Sequence, residues 1–282
     1  MPPIETPYIP PQPTDIAATP SPNSNSLRLH YGQLAQAQRA EGKLAQAPTA
    51  GASASGTDVA RIFKTLAFQD EFATTKRPLQ RWKGSVSVRL IFGPSVEVTA
   101  RTRITSQVDD VLAQITALTG LSTGRNSILG NFDIYVVNDG ERRTIPASPA
   151  NVFSGDPSAF EVGLIRNMRR SDQCMVMAYT NRQHTRHSAV AIIREELPPI
   201  LQLACIQEEI TQALGLTNDS PRADPSIFND DDQYATLTGL DRRLLQLLYH
   251  PALRPGMTLE TAGPIIDQIT QPQRFASIQQ GG

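Results

Sequence analysis

Cys205-Ile206-Gln207-Glu208-Glu209-Ile210-Thr211-Gln212-Ala213-Leu214-Gly215-Leu216-Thr217-Asn218-Asp219 is the stretch on which the reading of the whole chain turns. Leu203, Ile206, Ile210, Ala213 and Leu214 recur at helical spacing and form one apolar face. Leu201, Cys205, Glu208 and Gln212 form nearly the opposite face, so this helix has material to bury on two sides where a surface helix needs one. Residues four apart share a face, which lets Glu208 and Gln212 converge on one point while Glu209 approaches it from the side. Gly215 supplies the stop, because glycine takes a left-handed conformation at little cost. The chain beyond it can then return and bring Asn218 and Asp219 near the helix. An ordinary amphipathic helix with solvated carboxylates is the plainer reading of the same residues.

Working outward toward the C-terminus, Pro225-Ser226-Ile227-Phe228-Asn229-Asp230 leads into Leu237-Thr238-Gly239-Leu240-Asp241 and on to Leu248-Tyr249. With this continuation the chain resembles the metzincin zinc proteases, whose signature H-E-x-x-H-x-x-G-x-x-H lies on a helix. Here the same spacing reads E-E-x-x-Q-x-x-G-x-x-N. The resemblance implies that Glu209 stands at the general-base position. It implies that Glu208, Gln212 and Asn218 stand at the three ligand positions, with Asp219 beside them. It also implies that Ser226-Ile227-Phe228 forms the turn beneath the site, with Phe228 where a methionine is expected; Met257 comes too late in the chain for that place.

The same residues, together with Leu253-Arg254-Pro255-Gly256-Met257, are similar to the uncharacterised bacterial domain-of-unknown-function family 2927, over about residues 58 to 260. That family is largely alphaproteobacterial, and its members typically carry an export signal or a lipoprotein leader. The resemblance therefore implies an extracytoplasmic, periplasmic or envelope-attached protein whose leader is absent from this chain. It also favours a disulfide between Cys174 and Cys205. From composition alone, two cysteines are compatible either with one bridge pinning strand to helix in an oxidising compartment or with two buried reduced thiols.

The 282 residues suffice for one sizeable domain plus an extension, or for two small domains. A formal net charge of −1 gives no basis for nonspecific nucleic-acid binding. No apolar run approaches the roughly 18 residues that span a bilayer. The 22 prolines crowd the N-terminal end, so the core must come from the remainder.

Residues 1 to about 26 read as an extended, disordered leader, 27–47 as a loosely attached helix, and 50–56 as a Gly/Ser/Ala spacer. Residues 1–56 thus form an extension that could dock on a protein partner, and 57–282 the domain. Periodicity predicts a helix from Asp58 to Glu71 or Phe72 and a strand from about Gly84 that ends before Pro94. A helix capped by Ser106 closes at Gly120, and a strand over Phe132–Val137 meets an Asn138-Asp139-Gly140 turn. After a Pro/Ser-rich loop at 145–158 come strands at 174–179 and 188–193. Between them a basic connection carries Arg182, His184, Arg186 and His187, read as a solvated hairpin tip rather than a metal pair. The alternation of strands and helices points to an α/β or α+β domain, and the expected class is α+β: a mixed sheet, an active-site-type helix and C-terminal helices.

Function follows from the departure from the protease pattern. Gln and Asn amides are feeble zinc ligands, and without metal there is no acidified water for Glu209 to deprotonate. The first expectation is a non-catalytic, protease-like binding or structural module with no cofactor. The alternative is a hydrolase whose site is rebuilt from Glu208, Glu209 and Asp219, as an acid/base pair or around a harder metal. As an acid/base pair it meets the difficulty that adjacent helical residues diverge by about a hundred degrees. Calcium at the acidic run Asn229–Asp232 is a further candidate, though the run lacks the spacing of a calcium loop.

Overall fold

The computed structural model describes residues 21–46, 56–70, 73–126, 128, 130–145, 158–229 and 234–271. The expected leader before residue 21, most of the spacer before 56, most of the Pro/Ser-rich loop and residues 230–232 of the acidic run lie outside them.

The domain is organised on a six-stranded sheet. β4 (Val86–Phe92), β6 (Phe132–Val137) and β8 (Thr185–Arg194) run parallel side by side, with β5 (Thr123–Arg125) parallel on the outer edge of β4. The two-residue β3 (Arg81–Trp82) pairs in parallel with the start of β8, and β7 (Cys174–Thr180) closes the far edge antiparallel to β8. A short antiparallel pair, β1 (Gln69–Asp70) and β2 (Ala73–Lys76), stands apart. Five of the six strands are parallel, so the architecture is mixed α/β rather than the α+β arrangement the pattern suggested. Parallel neighbours require long crossovers, and α3 (Val98–Thr119) supplies the first of them.

All six residues of β6 are buried, as a central strand covered on both faces must be. Phe132, Ile134 and Val136 join Val88, Ala189 and Ala191 in the main core under α3 and α6 (Pro199–Leu214). The alternate residues Tyr135, Val137, Val190 and Ile192 form a smaller core on the other face, beneath α5 (Ala159–Arg166). On that face Arg89 meets the buried Asp133 of the adjacent strand in a two-pronged pair at 2.9 and 2.7 Å.

Several elements depart from the sequence reading. α3 begins at Val98, eight residues before Ser106, which lies exposed in mid-helix; burial of Ile104 extends the helix beyond the local capping signal. The Asn138-Asp139-Gly140 turn is the start of a short helix, α4 (Asp139–Arg143), because Asn138 and Glu141 form a reciprocal capping box. The helix at 27–47 is α1 (Ser24–Ala40), and it is not loosely held. Leu27, Tyr31 and Ala35 enter the main core, Ser24 Oγ donates to Glu196 at 2.6 Å and Arg28 to Glu195 at 2.6 Å. α2 (Gly56–Phe68), α7 (Gly239–Leu248) and α8 (Leu259–Thr270) complete the helical layer. Among the described residues no helix is long and apolar enough to cross a membrane.

Candidate functional site

α6 is buried almost all round: besides Ile206, Ile210 and Leu214, the polar Gln207, Glu209 and Thr211 are enclosed. A helix in that position must have its terminal carbonyls satisfied by protein. Trp82 Nε1 donates to Ala213 O at 2.9 Å, and Arg186 Nη1 donates to the same oxygen at 3.0 Å and to Gln212 O at 3.4 Å. The Tyr249 hydroxyl donates to Leu214 O at 3.2 Å. Burial, reinforced by the nearby Arg77, pushes Arg186 down to about 9, so it stays a cation at neutral pH and faces the negative end of the helix dipole. Burial pushes the Tyr249 phenol up.

Arg186 therefore does not belong to a solvated hairpin tip. β8 begins at Thr185, and its register sets Arg186 beside Trp82, which is why both reach the end of α6. His184, at φ 58°, closes the hairpin, and His187 is exposed with Ser188 Oγ 3.0 Å from its Nδ1.

Gly215 follows with φ 138°, a conformation side chains rarely adopt, and a Cβ there would lie 2.3 Å from Gln80 O. The returning chain is pinned to α2, where Thr217 N donates to Leu66 O at 3.2 Å and Asn218 Nδ2 to Thr65 O at 3.5 Å. Asn218 thus does not join the group on α6. Asp219 does: Gln212 Nε2 donates to Glu208 Oε1 at 3.3 Å and to Asp219 Oδ1 at 3.2 Å. Glu208 and the buried Glu209 line a cleft of about 180 Å³, whose opposite wall is Ser171, Gln173 and Cys174 at the start of β7. A disulfide joins Cys174 to Cys205 across this wall, with Cα atoms 6.0 Å apart.

The residues brought together are a poor match for zinc. They offer two carboxylates and one amide, with both N–H groups of that amide already given to the carboxylates and no imidazole or thiolate among them. Among the described residues no group of three or more His, Cys, Asp or Glu is arranged to hold a metal ion. Of the acidic run, Asn229 is buried and the rest lies outside the described residues.

Beyond the site, Ser226-Ile227-Phe228 is clasped by Asp241. Its carboxylate accepts from Ser226 Oγ at 2.5 Å, Ile227 N at 3.1 Å, Thr238 N at 2.8 Å and Thr238 Oγ1 at 2.8 Å. Phe228 is wholly buried in the main core, and Leu237 N donates to Gln207 Oε1 of α6 at 3.3 Å. Burial raises the pKa of Asp241 against the opposing pull of these donors. The single hydrogen of the Thr238 hydroxyl also has Pro225 O at 2.7 Å to satisfy.

Trp82 and Arg186 escaped the sequence reading as determinants of the site. Trp82 is the only tryptophan in the chain, but nothing local to it points to a helix about 130 residues away.

Residues 56–268 match a family described as "Protein of unknown function (DUF2927)". No curated protein matches the chain.

Proposed function

From the chain's membership of this family of unknown function, and from the chemistry of its site, we propose that it is a metzincin-like scaffold without catalytic zinc. It serves as a binding or structural module of the bacterial cell envelope. The observation that carries this reading is the position of Gln212. Its amide nitrogen ties Glu208 to Asp219, so the side chains at the ligand spacing hold one another. Asn218, at the third ligand position, is turned to the α2 backbone instead. The relation to metzincins rests on sequence along the chain: an antiparallel edge strand, a parallel strand, the helix with E-E-x-x-Q-x-x-G spacing, a clasped turn at Ser226–Phe228 and a helix opened by T-x-x-D. The disulfide supports an oxidising compartment outside the cytoplasm. A protein partner would meet residues 1–56 on the outward face of α1, where Leu29 is exposed, because the inward face is buried in the chain's own core.

Metal content of protein purified without chelator, read by inductively coupled plasma mass spectrometry, tests this. The expected result is substoichiometric metal that does not change in Glu208→Ala. Near-stoichiometric zinc or calcium that disappears in Glu208→Ala would overturn the reading. It would favour the second one, a hydrolase rebuilt around Glu208, Glu209 and Asp219. That second reading draws on one observation, that Glu208 and Glu209 open on a single cleft in spite of their divergence on the helix. Glu209→Gln separates the two: it leaves binding by a module intact and abolishes turnover by an enzyme.

A further inference from the structure

A second cavity, of about 220 Å³, opens where α1 begins, and its walls include Asn23, Ser26, Asp139, Arg143, Arg170 and Arg194. Asn23 is the N-cap of a 17-residue helix, makes no side-chain cap bond, and is followed by a first turn without acidic residues. The positive end of that helix therefore borders the cavity, with Ser24 N given to Ser21 O at 3.1 Å.

Arg194 is 1% exposed. Its Nε and Nη2 donate to the carbonyls of Asp172 at 2.8 Å and Arg169 at 2.9 Å, while Nη1 makes no hydrogen bond and lies 3.7 Å from Asp139 Oδ1. An unbonded N–H group on a buried guanidinium is costly unless something else receives it. The charges around it do not balance. Arg142 and Arg143 already hold Asp139, at 2.5 and 3.0 Å, and Arg170 and Arg194 add two more cations on the same side. The second carboxylate nearby, Glu196, accepts on Oε1 from Asp139 N at 2.7 Å and from Ser24 Oγ at 2.6 Å, and its Oε2 is buried without a hydrogen bond.

We propose that this cavity binds a phosphoryl group, free or as a monoester, held by Arg143, Arg170, Arg194 and the first turn of α1. Donors arrive from four elements: α1, α4, the segment that joins α5 to β7, and the end of β8. That spread suits a dianion with three or more oxygens better than a planar carboxylate, which one fork would satisfy. The bound group fastens α1 to the domain, since Arg170 also donates to Ser26 O at 3.3 Å.

Calorimetric titration of the full chain with sodium phosphate, and separately with a simple phosphate monoester, at constant ionic strength set by chloride, tests the proposal. One saturable site is expected, and Arg143→Ala and Arg170→Ala should each weaken it about tenfold or more, since each removes a charge-assisted hydrogen bond. Both side chains are exposed, so the variants should keep the wild-type circular dichroism spectrum. Arg28→Ala, which removes an ion pair outside the cavity, should leave affinity unchanged. A phosphate response no larger than that of chloride, or one untouched in both cavity variants, overturns the site. Acetate binding as tightly as phosphate overturns the phosphoryl assignment. Whichever of the two phosphates binds more tightly identifies the source.

Discussion

Asp241 and the pair Glu208/Asp219 belong to the same run of signature residues, yet the fold surrounds them in opposite ways. Asp241 is wholly buried and takes four hydrogen bonds from Ser226, Ile227 and Thr238. Glu208 and Asp219 are half-buried and share one amide nitrogen. A carboxylate enclosed by donors fixes backbone in place; Glu208, half-buried on the wall of a cleft, stands where something else can reach it. The first arrangement is tied to the second through Leu237, just before α7, whose N–H donates to Gln207 of α6.

The contrast can be broken most directly at the clasp. Asp241→Ala strands the Ser226 hydroxyl and the Ile227 and Thr238 amides in the core, while the Thr238 hydroxyl keeps Pro225 O, and should lower unfolding free energy by about 4 kcal/mol in urea titrations. Asp241→Asn, which can keep bonds to both Ser226 and Thr238, should cost less than about 1.5 kcal/mol. Equal losses for the two would show that volume rather than hydrogen bonding holds the turn.

At the open group, Gly215→Ala should cost about 3 kcal/mol, because its backbone conformation and the Gln80 carbonyl both exclude a side chain. A neutral result in thermal unfolding would mean that the return from α6 can move. Replacing Cys174 and Cys205 together by serine should cost about 3 kcal/mol, since the bridge closes a loop over 31 positions. Chemical unfolding with and without reductant checks the same number on the unmodified chain.

Acidity sharpens the comparison further. An acid whose folded pKa lies above its unfolded value binds its proton more tightly when folded, and the pKa of Asp241 is raised chiefly by burial. Its contribution is complete below the ordinary carboxylate range and is lost as pH rises through the raised value. Wild-type stability should therefore fall relative to Asp241→Asn as pH rises above about 4, by up to about 1.4 kcal/mol per pH unit until the group is ionised. A flat difference would put the proton elsewhere. The smallest effect is expected at Gln212→Leu, about 1 kcal/mol or less, because its partners are half-exposed and water can replace the amide. A loss as large as that of Asp241→Ala would erase the distinction between clasp and open group.

What the sequence could determine by itself was local. Apolar period gave the helix around Glu208, and two-residue alternation and turn residues marked β4 and β6, each because the interactions that fix the element lie within a few positions of one another. The spacing of Glu208 and Gln212 placed them together on one face for the same reason. Where two local signals competed, the wrong one could be chosen, as with Ser106 inside α3 or the capping box hidden in Asn138–Glu141. Only the tertiary structure decided that Asp219 and not Asn218 meets Gln212, because a bond to α2 about 150 residues earlier claims Asn218. It alone brought Trp82 and Arg186 to the end of α6 and gathered Arg143, Arg170 and Arg194 at the start of α1. Those contacts join residues far apart in the chain, and no periodicity within a segment records which distant segment will cover it.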